Sequence, residues 1–160
     1  MAVDMIIKIE GIDGESQISG HEDEIDVLAF SWGATNSGSM HVGGGGGAGK
    51  VNVQDLSFTK YVDSASHALW KHVCDGTHIP TALLTCRKAG GEAVEYIKVE
   101  LEEILVSSLS TGGSSGEDRQ TENVTLNFAK FKFVYTPQDE AGAGGGEKEF
   151  AWDITANIAA

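Results

Sequence analysis

The sequence has few of the residues that cross-link or interrupt a chain. Its 160 residues include two cysteines, Cys74 and Cys86, and two prolines. Two thiols cannot build the disulfide framework of a small secreted domain. A chain of this length buries about 68–70% of its unfolded surface and does not need such a framework. The sequence therefore predicts a single domain over residues 1–160, with both thiols free and buried.

Positive charge is scarce. Eleven lysines and arginines stand against 24 acidic residues, which gives a formal net charge of −13. An acidic surface repels phosphate groups, so nucleic acid and anionic membranes are poor partners for this chain. We expect neither as a ligand.

Long apolar runs are also missing. The apolar patch at the start, in MAVDMIIKIEGID, is interrupted by Asp4 and Lys8. It is too short for the core of a signal peptide or for a membrane span. These observations predict a cytoplasmic protein with no membrane insertion.

Glycine, by contrast, is abundant, with 21 residues or about twice the ordinary usage. It concentrates in a polar excursion from Gly33 to Lys50. A structureless loop of that length is uncommon in a compact domain and usually carries function or is disordered. Glycine lets the backbone adopt positive φ or approach another surface closely. We therefore expect the loop at 33–50 to meet another surface.

Alternating apolar and polar residues predict about seven strands. Ile25–Trp32 is largely apolar on both faces, which is typical of a strand covered on both sides or facing another subunit. The predicted strands are Val3–Lys8, Ile25–Trp32, Val51–Tyr61, Thr81–Lys88, Val94–Val106, Val124–Tyr135 and Glu149–Ile158.

One of these strands changes phase. Its apolar residues occupy even positions from Val124 to Phe128 and odd positions from Phe131 to Tyr135. A β-bulge near Ala129–Lys130 would return both sets to one face. Bulges recur where sheets curl, so the pattern favours a mainly β fold, a small β-barrel or a sandwich, with one flanking helix.

That helix is predicted between the third and fourth of these strands. Asp63 or Ser64 can cap it, Ala65–Val73 propagates it, and Gly76 ends it. At 100° per residue, one stripe of the helix is expected to pack on the sheet. Its members are Ser66, Leu69, Trp70, Val73 and Cys74.

A phosphate-binding loop is one alternative reading of the glycine run. Gly44–Lys50 has the spacing G-x-x-x-x-G-K. That chemistry needs a hydroxyl after the lysine and a helix that begins there, but Val51 follows and opens a strand pattern. We therefore expect no nucleotide and no other cofactor.

Zinc is a second alternative, because three histidines and two cysteines lie close together in the sequence. The paired spacing C-x-x-C is absent, and His72 points away from the helix side shared by His67 and Cys74. Buried cysteine with exposed histidine explains these residues better, so no metal is predicted. The residues are His67, His72, Cys74, His78 and Cys86.

Catalysis is the third alternative. Glu100, Glu102 and Glu103 could supply paired carboxylates, but alternating carboxylates on a strand usually form its wet face. The serine-rich tract from Ser107 to Ser115 contains no G-x-S-x-G elbow. The sequence predicts that this protein is not an enzyme.

Three segments carry a resemblance to a known family. They are SWGATNSGSMHVGGGGGAGKVNVQDLSFTKYVD from Ser31, RKAGG from Arg87, and VSSLSTGGSSGEDRQTENVTLNFAKF from Val106. Together they resemble the haemolysin-coregulated proteins (Hcp), the tube subunits of bacterial type VI secretion. The similarity runs from MAVDM at the start to Trp152.

The resemblance implies a β-barrel with one flanking helix that assembles as a homohexameric ring. Rings stack into an inner tube, capped by a spike protein and driven out of the cell by a contractile sheath. The lumen carries and protects effector proteins. In the family, the residue that matches Ser31 in AFSWG faces the channel and contacts effectors. The protein would be cytoplasmic before firing and then secreted without a signal peptide, and no catalytic residue is implied.

Stacked rings would also give the glycine loop a partner. Ordering a glycine-rich backbone is costly, so contacts from outside the subunit are needed to offset it. The expected ring-stacking residues are Gly43, Gly44, Gly45, Gly46, Gly47, Gly49 and Lys50.

Two hypotheses from different classes therefore remain. The first is a tube subunit that also carries effectors, and the alternative is a stand-alone ligand-binding β-barrel without ring assembly. Native mass separates them, because six copies of 16.9 kDa give roughly 101 kDa.

Overall fold

The computed structural model describes residues 3–38, 40–41, 47–88, 93–138 and 144–160. Strands dominate this part of the chain and one helix accompanies them. The elements are β1 (Val3–Ile9), β2 (Ile25–Asp26), β3 (Ala29–Ser31), β4 (Ala34–Gly38), β5 (Ala48–Val53), β6 (Leu56–Tyr61), α1 (Ser66–Asp75), β7 (Ile79–Lys88), β8 (Glu95–Gly112), β9 (Thr121–Tyr135), β10 (Lys148–Asp153) and β11 (Ile158–Ala159).

The main sheet curls into a barrel. Its strand order is β11-β10-β9-β8-β7-β1-β2, and β9 also pairs with β6, which pairs with β3. Strands β2 and β3 are successive pieces of residues 25–31. Within that segment the Val27 amide donates to the Met5 carbonyl at 2.9 Å, and the Leu28 amide donates to the Thr59 carbonyl at 2.8 Å. Residues 25–31 thus bond first to β1 and then to β6, so hydrogen bonding continues around the barrel. The predicted small barrel with one flanking helix is confirmed.

The two longest strands change faces at the same level. Leu101 and Ile104 are three residues apart on β8, yet both are 1% exposed and lie in the same core cluster. Between them Glu103 has φ 54°, the left-handed region. On β9, the rings of Phe128 and Phe131 are likewise three residues apart and lie 6.3 Å from each other. The predicted phase change is confirmed.

The predicted mechanism of that change is wrong. Glu102 pairs with Lys130 and Ile104 pairs with Phe128, so no extra residue enters β9 relative to β8 at Ala129. Both strands instead twist at the same level, at Glu103 on β8 and Ala129 on β9. The apolar residues before and after that level therefore face the same core. The register shift between these strands lies elsewhere, at Ser107.

Helix α1 packs against the barrel. Gly76 ends it in the left-handed conformation with φ 68°, as predicted. The Asp63 carboxylate accepts a hydrogen bond from the Ala65 amide at 2.9 Å just before the first turn, although no side chain caps the helix itself.

The predicted helix stripe is partly wrong. Ser66 and Leu69 are buried, but Trp70 is 43% exposed and Cys74 is exposed. The buried stripe is centred about one residue earlier, because Ala65 and Leu69 enter the core at i and i+4. The prediction of two buried thiols is therefore correct for Cys86 and wrong for Cys74.

The last predicted strand is two strands. β10 ends at Asp153, a turn follows, and β11 pairs back on β10 from Ile158. Asn157 has φ 57°, and the Asp153 carboxylate accepts a hydrogen bond from the Ala156 amide at 3.0 Å. Asx hydrogen bonding of this kind favours a turn over continued strand.

Candidate functional site

Ser31 lies at the end of β3, exposed, on a surface that crosses four strands. It pairs with Ser57 on β6, which pairs with Thr125 on β9, which pairs with Ser108 on β8. Opposite residues in antiparallel strands share a face. A row of four hydroxyl groups therefore runs across the outside of the barrel.

A second row lies beside the first, two residues further along each strand. It contains Ala29, Thr59, Asn123 and Ser110. The Thr59 hydroxyl donates to the Asn123 side-chain oxygen at 2.6 Å, and the Ser57 and Thr125 hydroxyls lie 3.1 Å apart. We call the polar residues of both rows the hydroxyl wall: Ser31, Ser57, Thr59, Ser108, Ser110, Asn123 and Thr125.

The alternation of β6 explains how the wall forms. In LSFTKY, Leu56, Phe58 and Lys60 are buried, while Ser57 and Thr59 point to the opposite face. The wall has no ionisable side chain in either row, although the chain carries a net charge of −13. A shallow pocket of about 140 Å³ lies beside Ser31, between β3 and β6. The surface can donate and accept hydrogen bonds but has no group suited to acid–base chemistry.

Behind one end of the wall lies a buried ionic cluster. Lys60 is 0% exposed, and its ammonium group lies 2.9 Å from the Asp63 carboxylate and bonds to Glu122, which is 1% exposed. The Ser66 hydroxyl donates to Glu122 at 2.6 Å. The cluster ties α1 to β6 and β9.

Sequence reasoning missed this cluster. Its signal is a charged residue in the apolar phase of a strand, since Lys60 continues the series Leu56, Phe58 and Glu122 precedes Val124 in the same phase. A buried charge needs a partner, so two such residues on different strands predict each other.

The predicted glycine loop is not structureless. β4 and β5 pair as a separate two-stranded sheet, and the Asn36 side-chain amide donates to the Gly49 carbonyl at 2.7 Å. We call this hairpin the ribbon. All five residues of β4 are exposed, so the ribbon projects from the barrel.

Only part of the predicted stacking set lies in the ribbon. Gly49 and Lys50 are exposed residues of β5, and Gly47 is exposed just before it. Gly43, Gly44, Gly45 and Gly46 lie outside the described residues. A Cβ at Gly49 would overlap the Ser37 hydroxyl and come within 3.0 Å of the Ser37 carbonyl oxygen, so a larger residue here must displace Ser37 and strain the close pairing of the ribbon.

His21 fixes the loop between β1 and β2. Its Nδ1 bonds to Glu24, and its Nε2 lies 2.6 Å from Glu95 on β8, which also pairs with Lys98 at 3.3 Å. Burial alone lowers the pKa of His21, but hydrogen bonds to Glu95 and Glu24 and their charges outweigh it, so the pKa is raised. Two carboxylate acceptors on one ring require both nitrogens to be donors, which describes the imidazolium form.

The same balance acts on Glu95. Burial alone raises the pKa of this carboxyl group, but hydrogen bonds from His21 and Lys98 lower it below the ordinary value. His21 and Glu95 therefore form an ion pair that links the loop to the barrel.

The alternative sites are not assembled. His67 and Cys74 are exposed on α1 while Cys86 is buried on β7, and among the described residues no three His, Cys, Asp or Glu side chains are placed to hold a metal. Gly49 and Lys50 belong to a strand and not to the start of a helix. In the part of the chain that the structure describes, no helix is long and apolar enough to cross a membrane.

The fold and these surfaces define a class: a small β-barrel with one flanking helix and an uncharged polar face. The family model described as "Type VI secretion system effector, Hcp" matches residues 6–135. Protein hcp1 of Pseudomonas aeruginosa strain PAO1 is 60% identical over 162 aligned residues, which cover 100% of each chain.

Solved structures agree with this class. A type six secretion system protein superposes with a TM-score of 0.94 at 31% identity, over 99% of this chain and 100% of its own. Hcp1 from Salmonella typhimurium superposes with a TM-score of 0.84 at 38% identity, over 100% of both chains. The chain belongs to the Hcp family of type VI secretion proteins.

Proposed function

We propose that this protein is the structural subunit of a type VI secretion inner tube, in which hexameric rings stack and enclose effector proteins. The observation that carries the proposal is the hydroxyl wall around Ser31. It is a continuous, uncharged, short-chain surface on a strongly acidic barrel.

Such a surface suits the lining of a transport channel. Serine, threonine and asparagine make exchangeable hydrogen bonds with almost any folded protein, whereas a carboxylate-rich wall would repel acidic cargo and retain basic cargo. Short side chains also leave the lumen wide. In this arrangement Ser31, Ser57 and Thr125 face the cargo.

The ribbon supports the stacking part of the proposal. β4 is exposed along its whole length and pairs with β5 alone among the described strands, so its other edge offers backbone groups to a neighbour. A second ring placed against this hairpin would supply the contacts that offset the cost of ordering it. Gly47, Gly49 and Lys50, with the glycines Gly43–Gly46, form this proposed stacking contact.

The remaining partners follow from the same proposal. The tube is capped by a spike protein and surrounded by a contractile sheath, and the subunit is cytoplasmic before firing and secreted afterwards. No nucleic acid takes part. The alternative is a stand-alone barrel that binds a ligand in the shallow pocket beside Ser31.

Native mass and cargo retention test the proposal. The purified protein should have the mass of six copies, and Ser31→Gln should leave that mass unchanged while reducing the amount of at least one effector that co-purifies. A longer side chain repeated around the ring narrows the lumen at one level. Ser19→Gln, an exposed serine in the loop before β2, is the matched control.

Two outcomes would contradict parts of this picture. A protein that stays monomeric at micromolar concentration supports the stand-alone barrel. Full retention of every cargo by the Ser31→Gln ring removes Ser31 from the cargo contact.

A further inference from the structure

Two surfaces outside the hydroxyl wall expose apolar side chains among the described residues of the barrel. The first lies on β9 and β10, where Phe133 is 36%, Tyr135 42% and Phe150 52% exposed. Phe150 pairs with Phe133, and Lys148 pairs with Tyr135, so these four side chains share one face. We call them the aromatic strip.

The strip continues the core beyond the barrel. Phe131, next to it, packs on Trp32 at 5.0 Å and on Phe150 at 6.3 Å between ring centroids. One edge of β9 pairs with β6 along residues 121–126 and with β10 along residues 130–135. The barrel is thus open at this end and leaves aromatic rings uncovered, which is unusual for a surface that stays in water.

The second surface is a groove of about 690 Å³ between β1, residues 26–28 and the end of β6. Its apolar lining includes Val3 and Leu28, each of which is 41% exposed. Four carboxylates line it as well. They are Asp4, Glu15, Asp26 and Asp63. We call it the acidic groove.

The charges of the groove are unevenly satisfied. Asp4 pairs with Arg87 at 3.3 Å, and Asp63 pairs with Lys60 at 2.9 Å. Glu15 accepts a hydrogen bond from the Ser64 amide at 3.0 Å.

Arg119, the cation in the groove, stacks over the Tyr61 ring at 4.0 Å. Among the described residues, Asp26 is exposed and has no cationic partner.

The aromatic strip has the opposite character. Lys148 is exposed and has no anionic partner among the described residues. The nearby pair of Lys132 with Glu149 belongs to the other face of the sheet, because Glu149 alternates with Lys148 and Phe150 along β10. The strip is therefore apolar and positively charged, whereas the groove is apolar and negatively charged.

We infer that the aromatic strip of one copy binds in the acidic groove of the next copy, with Lys148 facing Asp26. This inference rests on the proposed hexameric ring, and the strip and the groove are the two surfaces that would join neighbouring subunits of that ring. The strip and the groove lie near opposite ends of the strand order β11-β10-β9-β8-β7-β1-β2. A contact between two different surfaces is heterologous, and it forms a closed ring when its repeated rotation adds up to a full turn. Burial of the aromatic side chains supplies affinity, and the Lys148–Asp26 pair fixes which surfaces meet.

Charge reversal tests this contact. Lys148→Glu alone and Asp26→Lys alone should each weaken assembly at least tenfold at low salt, because like charges then face each other. Mixing the two variants in equal amounts should restore the assembled mass. In an alternating ring, the glutamate introduced into one variant meets the lysine introduced into the other, and the unchanged Lys148 and Asp26 meet at the next contact. Misfolded subunits would not recover on mixing.

Two further variants complete the design. Phe150→Asp should also reduce assembly, and the side chain is half exposed in the single copy, so folding should survive. Lys71→Glu, on the exposed side of α1, changes charge equally and should assemble like the wild type.

Native mass spectrometry separates the possible outcomes. If the wild type forms six-copy rings and Lys148→Glu, Asp26→Lys and Phe150→Asp all do so equally well, the contact is wrong and the ring stands. If the wild type itself is monomeric, the proposed ring fails. Loss of assembly in both charge variants without recovery on mixing also overturns the Lys148–Asp26 pairing.

Discussion

At the scale of single residues, the buried Lys60–Glu122 pair is the most sensitive point of the barrel. Glu122→Ala would leave the Lys60 ammonium buried, with Asp63 as its remaining anionic neighbour among the described residues. Breaking a buried pair by removing one partner typically costs ~3–5 kcal/mol of unfolding free energy. Urea denaturation should show a loss of this size, and the double variant Lys60→Met, Glu122→Leu should lose less. Glu117→Ala, on an exposed loop, is the control. A small effect of Glu122→Ala would mean that Asp63 alone satisfies Lys60.

His21 and Glu95 predict a pH dependence at the same scale. The folded pKa of His21 is raised above its ordinary 6.5, so its contribution to stability is complete below pH 6.5 and is lost as pH rises through the folded pKa. The folded pKa of Glu95 is lowered from 4.5, so its contribution is present above pH 4.5 and is lost as pH falls through the folded pKa. The stability difference between wild type and His21→Gln should therefore be largest between pH 4.5 and 6.5.

Denaturation of both proteins from about pH 4 to 9 measures that difference. His67→Gln, on the exposed side of α1, should show no comparable maximum. A difference that stays constant across this range would show that His21 acts through packing and not through charge.

At the scale of elements, the ribbon should be separable from the barrel. Gly49→Val forces β5 away from Ser37, but β4 and β5 pair only with each other among the described strands. We expect six-copy rings of nearly wild-type stability that form fewer and shorter tubes. Electron microscopy counts the tubes, and Gly116→Val, where an added side chain meets open space, is the control. Normal tubes from Gly49→Val would mean that the ribbon does not mediate stacking.

The elements also show what local sequence can predict. Alternation in LSFTKY and the left-handed stop at Gly76 depend on neighbouring residues, and both were predicted correctly. The exposed Trp70 and the shared turn at Glu103 and Ala129 depend on which distant strand lies opposite, so sequence alone could not predict them. Glycine in the ribbon suggested an open loop, because β4 contains asparagine and glycine, which are depleted in strands, and its partner β5 follows only after the glycine run.

The candidate site, too, could be predicted from the sequence only in part. Ser31 entered through a family resemblance, whereas its neighbours Ser57, Thr125 and Ser108 are far away in sequence and meet only through strand pairing. Neither Lys148 nor Asp26 has a local pattern that distinguishes it from other surface charges. Both stand out only once the structure shows which of the other charged side chains already have partners.

At the scale of the whole molecule, charge should control stacking. Six copies at −13 give a formal charge of −78 per ring, so rings of the proposed tube repel each other. Salt screens this repulsion, with a Debye length of about 8 Å at 0.15 M and about 3 Å at 1 M. Wild-type tubes should therefore lengthen as salt rises, as electron microscopy of one preparation at several salt concentrations would reveal. Tubes that shorten with salt would indicate that attractive ion pairs between rings dominate.

Closure of the barrel through residues 25–31 has a consequence for the order of events during synthesis. β1 finds its partner β7 about 80 residues later, and β6 finds β9 about 65 residues later. Such long-range pairing makes folding slow, on the order of milliseconds to seconds. The first sixty residues leave the ribosome without the strands that cover them, and the barrel cannot close until β9 has emerged. The aromatic strip is completed only when β10 follows, so every residue that lines the acidic groove is made before Lys148 and Phe150 of the surface proposed to fill that groove in a neighbour.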